Sequence, residues 1–193
     1  MKTCVSDRSL IDEALPRYQF HAAYQVGVKA RPPAVYGCLL HTNFHDLWLV
    51  RMLMSVRSGK VLKRSGSQLK LHRQLEGTGF VVLAEAPNEE IVIGIAGRFW
   101  RPDGGRYLDL SKDQFADFSR LGFAKAAWNF KLRAESDWGT ALSTETRVEC
   151  FGRSALWKFG TYWSVIAPFS GLIRKAILKQ IKAEAESGAR NSL

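Results

Sequence analysis

Tyr18-Gln-Phe-His-Ala-Ala-Tyr-Gln-Val-Gly-Val-Lys-Ala-Arg-Pro-Pro33 carries two structural messages in sixteen residues. Tyr18, Phe20, Ala22, Tyr24, Val26 and Val28 alternate with Gln19, His21, Ala23, Gln25, Gly27 and Lys29. A period of two over this length is the pattern of a long strand with one buried face. Arg31-Pro32-Pro33 then stops it. A proline in the first helical turn loses nothing by lacking an N–H, so Pro33 opens a helix that runs to about His41. A second helix is expected from Asp46 to about Arg57, with Asn43 as its cap and Leu47, Val50, Leu53 and Met54 on its apolar face.

Downstream, the alternation returns. Gly79–Ala86 and Glu90–Trp100 read as paired strands joined by Ala86-Pro87-Asn88-Glu89. Arg101-Pro102-Asp103-Gly104-Gly105 has loop chemistry, and Ser111-Lys112-Asp113-Gln114 caps a short helix through Phe118. Phe123–Ala134 and Ala141–Phe151 form a further pair, with Glu135–Thr140 as the turn. Both strands are apolar on one side, as in an antiparallel sheet with one wet face; Glu145 and Glu149 should face water. The last forty residues are helical. Ser154 caps a segment through Ala167, Pro168 kinks or breaks it, and Leu172, Ile173, Ala176 and Ile177 lie opposite Lys175, Lys179 and Lys182. Residues 58–78 are basic and only weakly patterned.

The chain has 193 residues and a formal net charge of +10. That length can bury roughly 70% of its unfolded surface without disulfides or metals. Residues 1–16 are expected to be a flexible lead-in, 17–186 a single domain, and 187–193 a frayed tail. No apolar run has the length of a membrane span, and the first thirty residues lack the pattern of a signal peptide. Cys4, Cys38 and Cys150 are odd in number and far apart, which suits reduced core thiols and a cytoplasmic location.

Seven Lys or Arg lie between Asp46 and Glu76 with no acid among them, and Arg174, Lys175, Lys179 and Lys182 form a second basic cluster. Such clusters attract phosphates or anionic headgroups. No nucleic-acid recognition motif accompanies either, so no specific nucleic-acid partner is expected.

The order β-α-α-β(n)-α places a one-sided antiparallel sheet against a long terminal helix, an α+β architecture. The first strand with Arg31-Pro32-Pro33-Ala34-Val35-Tyr36, the returning Leu142-Ser-Thr-Glu-Thr-Arg-Val148 and the closing Tyr162-Trp163-Ser-Val-Ile-Ala-Pro168-Phe-Ser-Gly-Leu-Ile-Arg174 resemble the helix-grip (SRPBCC) superfamily. Its members include START lipid-transfer domains, the birch pollen allergen and polyketide cyclase/dehydrase proteins. The C-terminal stretch is similar to uncharacterised bacterial members. The resemblance spans roughly residues 17–186, and its motifs mark a fold rather than a reaction. It departs at residues 58–78, where a clear strand is missing. It implies a curved antiparallel sheet wrapped around the terminal helix, and a hydrophobic or amphipathic small molecule bound between them. Many relatives carry such ligands without chemistry, while others cyclise or dehydrate them.

The residues expected to touch that ligand are Tyr24, Trp100, Trp128, Phe130, Thr144, Thr146, Tyr162 and Trp163: aromatic walls with a few polar groups. Core packing is the competing role for each aromatic. No catalytic residue is assigned, because the inward strand positions are apolar or Thr and no nucleophile–base set can be argued from spacing. His41 and His45 have the i, i+4 spacing of metal ligands, but Asn43 interrupts the helix and a third ligand is lacking. Neither a metal nor a cofactor is expected. The lysines of the terminal helix offer weak contact with an anionic membrane, or a protein-interaction face, as further readings.

Overall fold

The computed structural model describes residues 9–42, 79–101, 108–136 and 139–190. The strand read from Tyr18 is β1 (Phe20–Val28). Helix α1 (Leu10–Ala14) precedes it, and α2 (Pro32–His41) follows with Arg31 as cap and prolines in its first turn. The later elements are β2 (Phe80–Ala86), β3 (Glu90–Gly97), α3 (Lys112–Asp117), β4 (Ala124–Ser136), β5 (Gly139–Cys150) and α4 (Arg153–Arg190). The expected helix from Asp46, its Asn43 cap, residues 58–78 and the Asp46–Glu76 basic cluster lie outside the described residues.

The strands form one antiparallel sheet in the order β1-β5-β4-β3-β2, and α4 packs across one face. This is the α+β helix-grip arrangement. Alternation decides which side chains face α4. One rung of the sheet carries Tyr24, Thr144, Phe130 and Ile91; the next carries Ala22, Thr146, Trp128, Ile93 and Val82. A third carries Phe20, Val148, Ala126, Ile95 and Phe80.

Helix α4 meets these rungs with a stripe at helical spacing: Phe159, Trp163, Ile166, Ser170, Arg174, Leu178, Ile181 and Ala185. Its C-terminal half closes on Val28, Leu39, Ile91, Leu132 and Leu142 through Ile177, Leu178 and Ile181. Its N-terminal half closes on Ala124, Val148 and Cys150 through Ala155 and Phe159. Burial pushes the Cys150 thiol up to about 12, with the Glu149 carboxylate adding to the effect, as suits a core thiol.

Four expectations are corrected. Pro168 does not break the terminal helix, which runs continuously from Arg153 to Arg190. Ser164 and Pro168 both lie on the exposed side, where the carbonyl left without a donor meets water instead of apolar packing. The turn from Glu135 to Thr140 is shorter than expected, since β4 reaches Ser136 and β5 starts at Gly139.

The lead-in is also held in place from Ser9 onward. Ser9 and Asp12 form a capping box for α1, and Ile11 and Leu15 are fully buried against Leu83, Val92, Phe115 and Ala127. Finally, the outer face of the sheet is wet only in part: it is exposed along β1, at His21, Ala23, Gln25 and Gly27, and covered over β3. Helices α1 and α3 cover much of it, so every residue of β3 is buried, Glu90 included. Gly94 is required there: a Cβ would lie 2.7 Å from Leu83 Cδ1 and 2.9 Å from Phe115 Cε2. The capping of α3 by Ser111 and Gln114 follows the sequence reading, and residues 187–190 continue α4.

Candidate ligand pocket

The two packed ends of α4 leave a gap in the middle. Rungs two and three carry the small side chains Ala22 and Ala126 beside Thr146 and Val148. A cavity of about 240 Å³ remains. Its floor is Thr146, Trp128 and Ile93 on one rung, and Val148, Ala126, Ile95 and Phe80 on the next. Its roof is α4, from Phe159 through Tyr162, Trp163, Ile166 and Ser170 to Arg174, and Phe99 closes one end.

Four of the eight expected contact residues line this cavity: Trp128, Thr146, Tyr162 and Trp163. The other four serve neighbouring roles. Phe130 is 1% exposed in the core. Trp100 packs edge-on against Phe159, with ring centroids 6.4 Å apart. Tyr24 lies against Gly171 of α4, its hydroxyl standing where a Cβ at that position would point. Thr144 is buried one rung away and donates its hydroxyl hydrogen to the Asn129 carbonyl at 2.7 Å.

One lining residue, Arg174, was read from sequence as part of a basic cluster. The structure separates it from its neighbours. Lys175 and Lys179 are exposed, and Lys182 donates to the Gly27 carbonyl at 2.6 Å and pairs with Glu186 at 3.4 Å. Arg174 instead turns inward. Its guanidinium lies 5.2 Å from the centroid of the Trp128 ring, and Nη1 donates to Thr144 Oγ1 at 3.3 Å. The signal was available in the helical period, since Arg174 falls four residues after Ser170 and four before Leu178.

The environment of this cation is unusual. Burial draws the Arg174 guanidinium down to about 10, and only the Tyr24 phenol opposes the shift electrostatically. It therefore remains charged at neutral pH. Among the described residues no carboxylate lies within ion-pair distance of it. Its Nε and the Thr146 Oγ1 are buried without a hydrogen-bond partner. Arg174 as a residue is half-buried and its Nε fully so, and the Trp128 face offsets part of the cost of drawing the cation inward. Apolar walls with a few convergent polar groups are what a small-molecule site needs, although 240 Å³ lies below the range for drug-sized ligands.

His41 is exposed at the end of α2, its Nδ1 2.8 Å from the Gly37 carbonyl; His45 lies outside the described residues. Among the described residues no cluster of three metal-ligating side chains occurs, and no helix is long and apolar enough to cross a membrane.

No protein-family model matches the chain, and no curated protein does. Solved structures are similar at low identity. A protein from Chromobacterium violaceum is 15% identical with a TM-score of 0.37, over 87% of this chain and 99% of that one. A conserved protein from Geobacillus kaustophilus is 16% identical with a TM-score of 0.35, over 83% and 96%. The Zhui aromatase/cyclase of a Streptomyces species is 13% identical with a TM-score of 0.31, over 86% and 93%.

Proposed function

We propose that this protein binds a small hydrophobic or amphipathic molecule in the cavity between its sheet and α4. The observation that carries the reading is the unfilled, largely apolar space under Tyr162, Trp163 and Ile166, set between two halves of α4 that are otherwise closely packed. An apolar recess left unfilled keeps apolar surface in contact with water, and a ligand that covers it gains the hydrophobic stabilisation of that surface. Native mass spectrometry of gently purified protein, with analysis of its organic extract, would show a stoichiometric small molecule. Ala126→Phe places a ring in the cavity floor. It should abolish uptake of an apolar fluorescent probe while the melting temperature holds or rises. Unchanged probe uptake by that variant would reject the site.

A cyclase- or dehydratase-type reaction on such a ligand is a second reading. Tyr162 and Arg174 are the ionisable lining groups among the described residues, and Arg174 could stabilise negative charge developing on a bound carbonyl. Turnover of the extracted compound would separate enzyme from carrier.

Membrane contact is a third reading. Trp157, Val165, Phe169 and Leu172 are exposed on α4, and Lys158, Lys175 and Lys179 are exposed on the same helix. Salt-sensitive binding to anionic vesicles is expected if that face docks on lipid. Indifference to lipid charge would remove the idea.

A further inference from the structure

We propose that the ligand is a monocarboxylate with an apolar tail, its carboxylate received by Arg174 and Thr146 and its tail lying towards Phe159 and Phe99. The inference rests on the pocket reading above and gives the occupant a chemical class. Three features converge. Arg174 brings a full positive charge into an apolar cavity, and no carboxylate among the described residues neutralises it. Its Nε–H and the Thr146 hydroxyl, both on the cavity wall, are buried with no partner. The rest of its environment is already fixed: Trp128 lies against the guanidinium, and Thr144 accepts from Nη1 while its own hydrogen is committed to Asn129.

Charge arithmetic selects the head group. Arg174 is the one cationic side chain on the cavity wall among the described residues. A single negative charge leaves the buried pair neutral, whereas a phosphate dianion would leave an uncompensated charge in low dielectric. A guanidinium also presents parallel N–H groups whose spacing matches the two oxygens of a carboxylate, and Thr146 can add one hydroxyl donor. The opposite end of the cavity, at Phe159, Phe99 and Ile95, is apolar and suits an alkyl or aryl tail.

The test compares decanoate, decanol, decylamine and decyl phosphate by displacement of an apolar fluorescent probe from the full chain. Decanoate should bind on the order of ten- to a hundred-fold tighter than decanol, the range for hydrogen bonds to a charged group, and decylamine should bind weakest. Arg174→Met should retain decanol binding and lose the preference for decanoate, with Arg174→Lys restoring part of it. Thr146→Val should narrow the preference without erasing it, and serves if Arg174→Met fails to fold. Equal binding of decanoate and decanol by the unaltered protein would overturn the head-group assignment while leaving the pocket intact. Tighter binding of decyl phosphate would overturn it in favour of a phosphoryl head. Failure of all four to displace the probe would strike the pocket reading itself.

Discussion

Each face of the sheet holds an inward-turned arginine, Arg147 of β5 on the outer face and Arg174 of α4 on the inner, and the two are treated in opposite ways. On the outer face Arg147 is 8% exposed yet fully engaged: Nε donates to Glu145 at 2.6 Å and Nη2 to Asp12 at 2.6 Å. Its Nη1 reaches the Ile11 and Leu15 carbonyls at the end of α1. Alongside, Glu90 accepts from Ser9 Oγ at 2.6 Å, the Leu10 amide at 2.9 Å and Asn129 Nδ2 at 2.6 Å. Lys125 sits 3.6 Å from Glu149. This network clamps α1 onto the sheet. On the inner face Arg174 has one long hydrogen bond and an aromatic face, and beside it lies open space. A satisfied network is a structural device, because every buried polar group has a partner. The cation at the cavity wall has no such network among the described residues.

The sharpest way to break this comparison is to remove each arginine in turn. Arg147→Met leaves Asp12 and Glu145 without their cation and should cost about 2–4 kcal/mol, discounted from the fully buried case because Asp12 is partly exposed. In the ligand-free protein Arg174→Met should instead hold or raise the melting temperature, since it removes an unpaired buried charge. Paired thermal melts check both. Equal losses would erase the distinction between the faces.

Gly94→Ala probes the tightness of the outer face. Its Cβ would press on Leu83 and Phe115, and overpacking of this kind costs about 1–3 kcal/mol in denaturant titrations. The same methyl on the cavity side has room, so a small-to-large change at Ala126 should be far better tolerated.

The smallest effect expected is on pH. Burial pushes Asp12 up, but its hydrogen bonds to Arg147 and the Ser9 amide, together with the guanidinium charge, outweigh that and hold it below the usual aspartate value of 3.8. A carboxyl depressed in the folded state adds stability that is present above its unfolded value and is lost as pH falls through the folded one. Acid denaturation of the native chain should therefore steepen below about pH 4, and Asp12→Asn should flatten that limb of the curve. A curve unchanged by Asp12→Asn would show that the clamp is not electrostatic.

Much of the architecture is legible in the residues. The alternation from Phe20 to Val28 and from Ala124 to Cys150 tells which side chains face α4, and the capping residues locate α2 and α3. The same alternation pointed to Trp128 and Thr146, and the terminal helix to Tyr162 and Trp163. It misjudged Glu145 and Glu149, which are largely covered, because alternation reports which side of a strand a residue occupies and not what covers that side. Part of the cover is α1, whose short span of Leu10–Ala14 carries too few residues to show a period.

What the chain's local chemistry determined, then, is the set of elements and their faces: steric and hydrogen-bonding preferences act within a few residues and leave a periodic record. What only the tertiary structure decided is where the layers fail to meet. The gap over Ala126 and Thr146 lies between the two clusters in which the ends of α4 pack against the sheet. Arg174 differs from Lys175 by one step along α4, about 100° of rotation, and that rotation alone takes its charge from water into the cavity.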